Sequence, residues 1–418
     1  MTEYDLVIIG SGWAGFNAAL RAKEFGLKVC LLEKSQIGGV CLNLGCIPTK
    51  TLIQAAKVFN LTRKSTNFGI ESVNPQINWS KIQERKDKII QQLRLGMQLM
   101  LKGIDFFPAE AEVLSNQEIR SGDKILKTKF ILLAVGSKPL ELPNLKFDGK
   151  KIVSSDEIIN LKEIPKSLLI IGGGVIGCEF ASLFSMFGSR VSIVEKMPQL
   201  LPGEDAEVAR RLQAIFKKRG INVSTNTDAT NLDIKNYDLV LLSIGRVSQA
   251  PQIQVDEYLR TKIPNIYAAG DCTKKIMLAH FAAYQGRIAA ENIAHPQNPK
   301  KADNPHIPNC IFTLPEIASV GLSEEKAKTM GLEIKIKKFD FMASGMAHIL
   351  DETEGFIKIV SDGKTGEIKG ASIIGPYATE LIGILTLAIT QHLTLSSLKD
   401  TLFAHPTLSE SIIEALKD

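Results

Sequence analysis

Two short apolar segments near the N-terminus enclose a glycine-rich turn and a helical pattern of apolar positions. Residues 6–9 and 29–32 are apolar throughout, which is typical of strands buried in a parallel sheet. An acidic residue follows the second segment directly. This order favours dinucleotide binding, because the turn brings the backbone close to a pyrophosphate and the acid can accept a ribose hydroxyl. The residues predicted to form this first site are Gly10, Gly12, Gly15 and Glu33.

The same pattern occurs a second time in the middle of the chain. Apolar segments at 168–171 and 191–194 again enclose a glycine turn and a helical pattern. The spacing from the first glycine to the acid is identical in the two copies, which argues against glycines that merely pack a βαβ unit. We therefore predict a second dinucleotide-binding domain. Its site residues are Gly172, Gly174, Gly177 and Glu195.

Three further candidate ligand contacts directly follow predicted strands. Gly136 and Gly245 each lie just beyond an apolar segment, and Asp271 follows the short apolar segment 266–269. Ligands of open α/β sheets bind at the carboxyl ends of the strands, so Asp271 suits a dinucleotide site, and Gly136 and Gly245 occupy parallel positions in the two copies. For Asp271, a loop aspartate that caps the next helix is an equally good interpretation.

The remaining patterns predict a long surface helix and a C-terminal region of different character. Ser80 opens a capping-box pattern, which predicts a helix that starts there and runs to Gly103. Short strands are predicted within 105–127. Residues 303–418 alternate like an antiparallel sheet, with a hairpin signal at Asp362-Gly363. The helices predicted in this region are 377–392, 395–402 and 407–417.

Two cysteines in a glycine-rich segment are the main candidates for chemistry. Cys41 and Cys46 are near enough in sequence to close a small disulfide ring, and Pro48 fits the first turn of a helix. A thiol at the positive end of a helix has a lowered pKa, which favours a pair that cycles between dithiol and disulfide. Half of a metal site and two unrelated core cysteines are the alternatives. Neither a second cysteine pair nor closely spaced histidines lie nearby, so no metal is predicted.

The composition excludes several other classes of protein. The 418 residues carry a net charge of only +5, and no basic run contains interleaved aromatic residues, so nucleic acid is not an expected partner. Charge or glycine interrupts every apolar run before it reaches membrane-spanning length. Six scattered cysteines and the lack of a leader pattern ahead of the first strand favour a cytoplasmic location, with the processed form of an organelle protein as the alternative.

Two dinucleotide sites and a thiol pair together favour an electron relay. A flavin can take electrons from a thiolate and pass hydride to a nicotinamide, so it is the natural intermediary. The thiol pair follows the first unit directly, which assigns FAD to that copy and the nicotinamide cofactor to the second. Glu195 favours NAD over NADP because a 2′-phosphate would meet a carboxylate. Lys196, next in the chain, is the residue that could oppose this preference.

The chain resembles the FAD-dependent pyridine nucleotide–disulfide oxidoreductases over its whole length. Within that family the segment from Gly39 to Lys50 is most similar to the redox segment of the dihydrolipoyl dehydrogenases. The resemblance implies an α/β fold with two Rossmann-like dinucleotide-binding domains plus a C-terminal α+β dimerisation domain. The implied boundaries are 1–145 for the FAD domain, completed by 262–300, then 146–261 for the NAD domain and 303–418 for the dimerisation domain.

The resemblance also implies residue roles. Cys41 would exchange with the substrate, Cys46 would face the flavin as a thiolate, and Lys50 would lie near the flavin, paired with Glu179. His405 would be the acid–base catalyst of the partner subunit's thiol pair. The remaining implied contacts are Glu410 to His405, and Asp271, Ala279 and Gly136 to the flavin.

The implied activity is oxidation of dihydrolipoamide by NAD in a homodimer. The implied partner is the lipoyl domain of a 2-oxo acid dehydrogenase or glycine cleavage complex. Alternatives are an NAD(P)H-driven reductase of another disulfide or a metal ion, and a flavoprotein that binds a partner without turnover. The chain departs from the family in two respects. Phe403 stands where the family usually has a second histidine, and the segments 223–237 and 246–255 are shorter than is usual in the family.

Overall fold

The computed structural model describes residues 3–71, 74–229, 232–250 and 253–417. Three sheets of five or more strands form the body of the molecule, and a two-stranded ribbon joins two of them. The strands are β1 Glu3–Ile9, β2 Val29–Leu32, β3 Asp105–Phe107, β4 Ala111–Val113, β5 Glu118–Ser121, β6 Lys124–Leu133, β7 Ser137–Pro139, β8 Ile152–Val153, β9 Ser167–Ile171, β10 Arg190–Val194, β11 Asn222–Ser224, β12 Leu239–Leu242, β13 Arg246–Ser248, β14 Ile266–Ala268, β15 Asn309–Ile311, β16 Glu316–Gly321, β17 Ile334–Asp340, β18 Phe356–Asp362 and β19 Ile368–Gly375. The α-helices are α1 Trp13–Glu24, α2 Gly39–Asn43, α3 Cys46–Arg63, α4 Trp79–Met100, α5 Ser155–Ile158, α6 Val175–Met186, α7 Ala206–Lys218, α8 Ala279–Ala294, α9 Glu324–Thr329, α10 Gly345–Ile349, α11 Ala378–Thr390, α12 Leu395–Lys399 and α13 Ser411–Glu414.

The first sheet is built around the first glycine turn. Its parallel strands have the order β3-β2-β1-β6, and β14 pairs in parallel with the C-terminal half of β6. The N-terminal half of β6 instead pairs with β5 in antiparallel fashion. The apolar segment just before Gly136 is therefore only the end of one long strand that starts at Lys124, because the first half of that strand has a partner of its own.

The second sheet repeats the first. It is parallel throughout, in the order β11-β10-β9-β12-β8. In both sheets the first glycine of the turn donates its backbone N–H to the end of the next strand, from Gly10 to Leu32 and from Gly172 to Val194, at 2.8 Å each. The internal repeat predicted from the spacing is thus a repeat of topology and of hydrogen bonding.

The C-terminal region forms an antiparallel sheet in the order β15-β16-β19-β18-β17. The predicted fold class, two dinucleotide-binding α/β units followed by an α+β region, is confirmed. Two local predictions were too simple. In the predicted hairpin, the turn after Asp362 spans five residues, because the Asp362 carboxylate accepts from the backbone N–H of Thr365. The last α-helix is confined to Ser411–Glu414, whereas the pattern predicted 407–417.

The longest helix, α4, lies on the surface with only three buried side chains. It begins at Trp79, one residue before the predicted start at Ser80. The side chain of Asn78 accepts from the backbone N–H of Lys81 and caps the helix. Ser80 lies inside the first turn and bonds to Glu84 instead. In the described part of the chain, no helix combines the length and apolar character needed to cross a membrane.

A buried lysine joins the second sheet's domain to the C-terminal region. Lys358 of β18 has a side chain only 3% exposed, and its Nζ lies 2.9 Å from Asp205, 3.2 Å from Glu207 and 2.8 Å from Glu324. Burial lowers the pKa of Lys358, but hydrogen bonds to Glu324 and Asp205 outweigh it and raise this pKa overall. The lysine is therefore charged, and Asp205, itself fully buried, depends on it.

We predict that Lys358→Met strongly destabilises the protein. Removing one partner leaves buried carboxylates uncompensated, which typically costs about 3–5 kcal/mol. Lys328→Met is the matched control, because Lys328 also pairs with Glu324 but is largely exposed, and such pairs contribute about 0–1 kcal/mol. Thermal unfolding followed by circular dichroism compares them. Equal melting temperatures for the two variants would contradict a structural role for the buried charge.

Candidate active site

One large cavity of about 1790 Å³ lies between the two glycine turns. Both turns, the thiol pair and the loops after β6, β12 and β14 line it. It therefore collects most of the residues that the sequence singled out. The predicted residues that line it are Gly10, Gly12, Glu33, Cys41, Cys46, Lys50, Gly136, Gly172, Gly174, Glu179, Glu195, Gly245, Asp271 and Ala279.

The glycines of the first turn are required by close backbone contacts. Gly10 has a φ of +100°, and a Cβ there would lie 2.3 Å from the carbonyl oxygen of Ala134. A Cβ on Gly39, in the redox segment, would lie 2.7 Å from Cα of Gly12. The redox segment thus lies directly on the first turn, and a side chain at Gly39 would prevent this contact.

Two predicted glycines do not form the cavity wall. A Cβ on Gly15 would lie 1.9 Å from the carbonyl oxygen of Gly10, and one on Gly177 would lie 2.0 Å from that of Gly172. These residues let the helix begin tightly against its turn, so that the helix N-terminus points into the cavity. Their effect on a bound ligand is indirect.

The two acids at the strand ends have equivalent environments. Oε2 of Glu33 accepts from the backbone N–H of Ser11 at 2.8 Å, and Oε2 of Glu195 accepts from that of Gly173 at 2.6 Å. Ser11 and Gly173 are the second residues of the two glycine turns. Each carboxylate is therefore fixed beside its turn at the cavity wall, where a ribose would lie if a pyrophosphate bound the helix N-terminus.

The two cysteines lie on consecutive helices: Cys41 lies within α2, and Cys46 is the first residue of α3. Both cysteines are free thiols, which is the dithiol form of the predicted cycle. The thiol of Cys41 hydrogen bonds to Cys46, and this contact, helped by the charge of Lys50, lowers the pKa of Cys46 despite its burial. The same hydrogen bond and burial raise the pKa of Cys41. Cys46 is thus the thiolate of the pair.

A buried ion pair lies next to these thiols. Nζ of Lys50 lies 2.7 Å from both carboxylate oxygens of Glu179, which is 3% exposed. The Glu179 carboxylate also accepts from the backbone N–H of Phe312 at 2.9 Å, and Lys50 lies 4.8 Å from the centre of the Phe312 ring. The lysine charge is consequently held in one position beside Cys46.

The loop residues around Asp271 form a hydrogen-bonded chain across the cavity. Ser137 donates to the Asp271 carboxylate at 2.6 Å, and Nε of Arg246 donates to Ser137 at 2.9 Å. The guanidinium of Arg246 also lies 3.7 Å from Asp156. Asp271 is the first residue of a short 3-10 helix whose N-cap is Gly270, so the Asp271 side chain, bonded to Ser137, is not that helix's cap.

Sequence reasoning missed three residues of this site. Trp13, a large aromatic residue inside the first glycine turn, lines the cavity and hydrogen bonds to Cys41. Its position between two glycines was an available signal. Arg246 was visible only as the residue after Gly245, and Asp156 had no signal at all, because it reaches the cavity from a segment that carries no motif.

His405 and Glu410 lie outside this cavity. Nδ1 of His405 is 2.8 Å from Oε2 of Glu410, and the other carboxylate oxygen accepts from the backbone N–H of Thr407 at 3.0 Å. The hydrogen bond to His405 lowers the pKa of Glu410. With 82% of its side chain exposed, His405 presents Nε2 to the surroundings of the subunit rather than to its own thiols.

The cavity fits two dinucleotides. Each glycine turn lets a backbone approach where a Cβ would collide, each helix N-terminus offers unpaired N–H groups, and each turn has its own buried acid. Only the first turn carries a thiol pair, so the residues there suit a flavin dinucleotide. The fold and the site thus define a dinucleotide-dependent thiol–disulfide oxidoreductase.

The chain belongs to the pyridine nucleotide-disulphide oxidoreductases. The model of that family matches residues 4–286, and the model of the family's dimerisation domain matches residues 307–416. The cofactors of this protein are FAD and NAD, and the second match supports a homodimer.

Similar proteins are known from several bacteria. The chain is 38% identical to a dihydrolipoyl dehydrogenase of Bacillus subtilis, over 99% of this chain and 97% of that protein. It is also 38% identical to the dihydrolipoyl dehydrogenase of Chlamydia trachomatis, over 97% and 95% of the two chains. Among solved structures, the HOCl-induced flavoprotein disulfide reductase RclA from Escherichia coli is similar, with a TM-score of 0.88 and 28% identity over 99% of both chains.

We predict opposite pKa shifts at Cys46 when either member of the ion pair loses its charge. Lys50→Met removes a cation that favours the thiolate and should raise the pKa of Cys46. Glu179→Gln removes an anion that disfavours it and should lower this pKa. The pH dependence of iodoacetamide labelling at Cys46 in the reduced protein, read by mass spectrometry, reports both changes.

Lys57→Met is the matched control for this titration. Lys57 also belongs to α3, but it pairs with Glu316 at 2.6 Å and does not line the cavity. Its loss should leave the labelling profile unchanged. Shifts in the same direction for the Lys50 and Glu179 variants would show that their charges do not act on the thiolate.

Proposed function

We propose that this protein is a dihydrolipoyl dehydrogenase, which oxidises dihydrolipoamide with NAD through the pair Cys41 and Cys46 and bound FAD. The observation that carries this proposal is the thiolate Cys46 held beside the Lys50–Glu179 ion pair, in one cavity with two dinucleotide-binding turns. Similarity to bacterial dihydrolipoyl dehydrogenases over nearly the whole chain supports the substrate class.

The thiol pair carries the substrate half-reaction. In the oxidised enzyme, a thiolate of dihydrolipoamide attacks the sulfur of Cys41, the Cys41–Cys46 bond breaks, and its electron pair stays on Cys46. The second substrate thiol then attacks the mixed disulfide, which releases lipoamide and returns Cys41 as a thiol. Two electrons have then passed from the substrate dithiol to the enzyme's cysteines. The lowered pKa of Cys46 makes it the better leaving group of the pair.

His405 is the base that makes the substrate thiol reactive. Glu410 accepts from Nδ1 of His405, and in the neutral ring this hydrogen bond leaves Nε2 free to remove a proton from the attacking thiol. Of the two substrate protons, one passes to Cys41 and the other is held on His405 until it is released to water. Because His405 points away from its own subunit's cavity, it serves the thiol pair of the partner subunit.

The cofactors are held by the two halves of the cavity. Bound FAD supplies a two-electron redox group that links the thiol pair to NAD. Lys50, oriented by Glu179, favours negative charge beside Cys46. The FAD site is formed by Gly10, Gly12, Glu33, Lys50, Gly136, Asp271 and Ala279, and Gly15 shapes its helix start. The NAD site is formed by Gly172, Gly174, Glu195 and Gly245, and Gly177 shapes its helix start.

The same proposal includes the domain boundaries and the partner. Residues 1–145 with 262–300 bind FAD, residues 146–261 bind NAD, and residues 303–418 form the dimer interface. The substrate arm is the lipoyl domain of a cytoplasmic 2-oxo acid dehydrogenase or glycine cleavage complex. The exposed position of His405 supports this, since a protein-borne lipoyl group must reach the thiols from outside.

We predict that the FAD-containing protein oxidises dihydrolipoamide with NAD. Its reduction of oxidised glutathione with NADPH should be far slower than this reaction. His405→Ala should lower dihydrolipoamide turnover by about 10²- to 10⁴-fold, the usual contribution of a general base. Steady-state absorbance of NADH measures both. Lipoamide that is inert in both directions would remove this substrate assignment.

A second candidate is an NADH-driven reductase of another disulfide. The structural similarity to the flavoprotein disulfide reductase RclA favours it, as does Phe403, which replaces a histidine usual in the family. The direction of efficient turnover distinguishes the two candidates. A dehydrogenase reduces NAD with dihydrolipoamide, whereas the reductase consumes NADH with a disulfide substrate and leaves dihydrolipoamide unused.

We predict that activity depends on residues from two subunits. Cys41→Ser and His405→Ala homodimers should each be nearly inactive, while mixed dimers should regain activity at the one site with both residues intact. The control is a mixture of Cys41→Ser with Cys46→Ser, in which each thiol pair has a lesion and no recovery is expected. Verified heterodimers of the first mixture that remain inactive would exclude a shared site.

A further inference from the structure

The nicotinamide side of the cavity contains a second acid besides Glu195. Nζ of Lys196 lies 3.5 Å from Oδ2 of Asp228, and both residues line the cavity wall together with Glu195. Lys196 is 79% exposed and Asp228 53% exposed, so the pair faces the space next to the buried Glu195. An ion pair at this position changes the charge that a dinucleotide's ribose meets.

The backbone holds Asp228 at this place. Beyond the paired strands β10 and β11, the N–H of Asn226 donates to the carbonyl of Met197 and the N–H of Thr227 donates to that of Glu195, both at 3.0 Å. The loops that follow the two strands are therefore paired with each other. The separation of Lys196 and Asp228 is set by this backbone pairing and not only by two flexible side chains.

We propose that Asp228 is a specificity-determining residue that excludes NADP by occupying Lys196 and by adding a second negative charge beside Glu195. Without Asp228, Lys196 would be a free cation at the edge where a 2′-phosphate would lie. With Asp228, the same edge carries two carboxylates and one ammonium group. The inference depends on the proposed NAD site at the second glycine turn and extends it to a residue outside the glycine–acid motif.

The charges are exposed, so the effect should be moderate and sensitive to salt. Exposed pairs contribute little to folding stability, but a 2′-phosphate brings nearly two negative charges to this edge. We expect Asp228→Asn to narrow the ratio of NADP to NAD dissociation constants by about three- to tenfold at low salt. The effect should shrink at high ionic strength, because the screening length falls from about 10 Å at 0.1 M to about 3 Å at 1 M salt.

The test is isothermal titration calorimetry of oxidised, FAD-containing protein with NAD and, separately, with NADP. The variants are Asp228→Asn, Lys196→Met and the double variant. Lys196→Met alone should widen the preference for NAD slightly, because it leaves the Asp228 carboxylate without its lysine partner, whereas in the Asp228→Asn background it should have a larger effect and reverse the gain in NADP binding. Such coupling between the two substitutions is what a double-mutant cycle detects.

Asp233→Asn is the matched control for net charge. It removes an exposed carboxylate from the same region, but Asp233 does not line the cavity. The proposal would be overturned if Asp228→Asn left the ratio of the NADP and NAD dissociation constants unchanged, or if both aspartate variants changed this ratio equally. Either result would leave the NAD site intact. Failure of the unaltered protein to bind either dinucleotide would instead overturn the NAD site itself, and with it this inference.

Discussion

The ion pair between Lys50 and Glu179 is the contact on which the site depends. Lys50 belongs to the helix that starts at Cys46, Glu179 belongs to the helix of the second glycine turn, and Phe312 donates its backbone N–H to the same carboxylate from the start of the C-terminal sheet. Three parts of the chain thus meet at one buried carboxylate. A buried charge is tolerated only with such partners, so their positions are fixed together.

The hydrophobic core reinforces this meeting point. Leu52 and Ile53 of α3 lie in one buried cluster with Phe180 of α6 and with Phe356 and Ile374 of the C-terminal sheet. The helix that carries the thiolate therefore packs against two other regions rather than against its own sheet alone. Close packing of this kind resists small shifts, and thiol–disulfide chemistry needs that precision because it depends on which sulfur is attacked.

Local sequence signals were most reliable where one residue type has a single structural use. The glycine turns, the acids after the strands and the apolar strands themselves form the local structures that the pattern predicted, because tight backbone contacts and burial leave few alternatives. Predictions were weaker at element ends. Asn78 rather than Ser80 caps the long helix. Strand β6 begins at Lys124, well before the apolar segment that precedes Gly136, because its first half pairs with β5.

The sequence by itself determined the duplicated dinucleotide-binding unit and the thiol pair, because their spacings along the chain specify their local geometry. The helix start at Cys46 already favours it as the thiolate, and only the tertiary structure decided the burial and the nearby Glu179 carboxylate that oppose this lowering of its pKa. The tertiary structure also decided that His405 is not among the residues that line its own subunit's cavity, and that Asp228 stands beside Lys196. These are relations between segments that no local pattern encodes, since they arise only when separate strands and helices pack together.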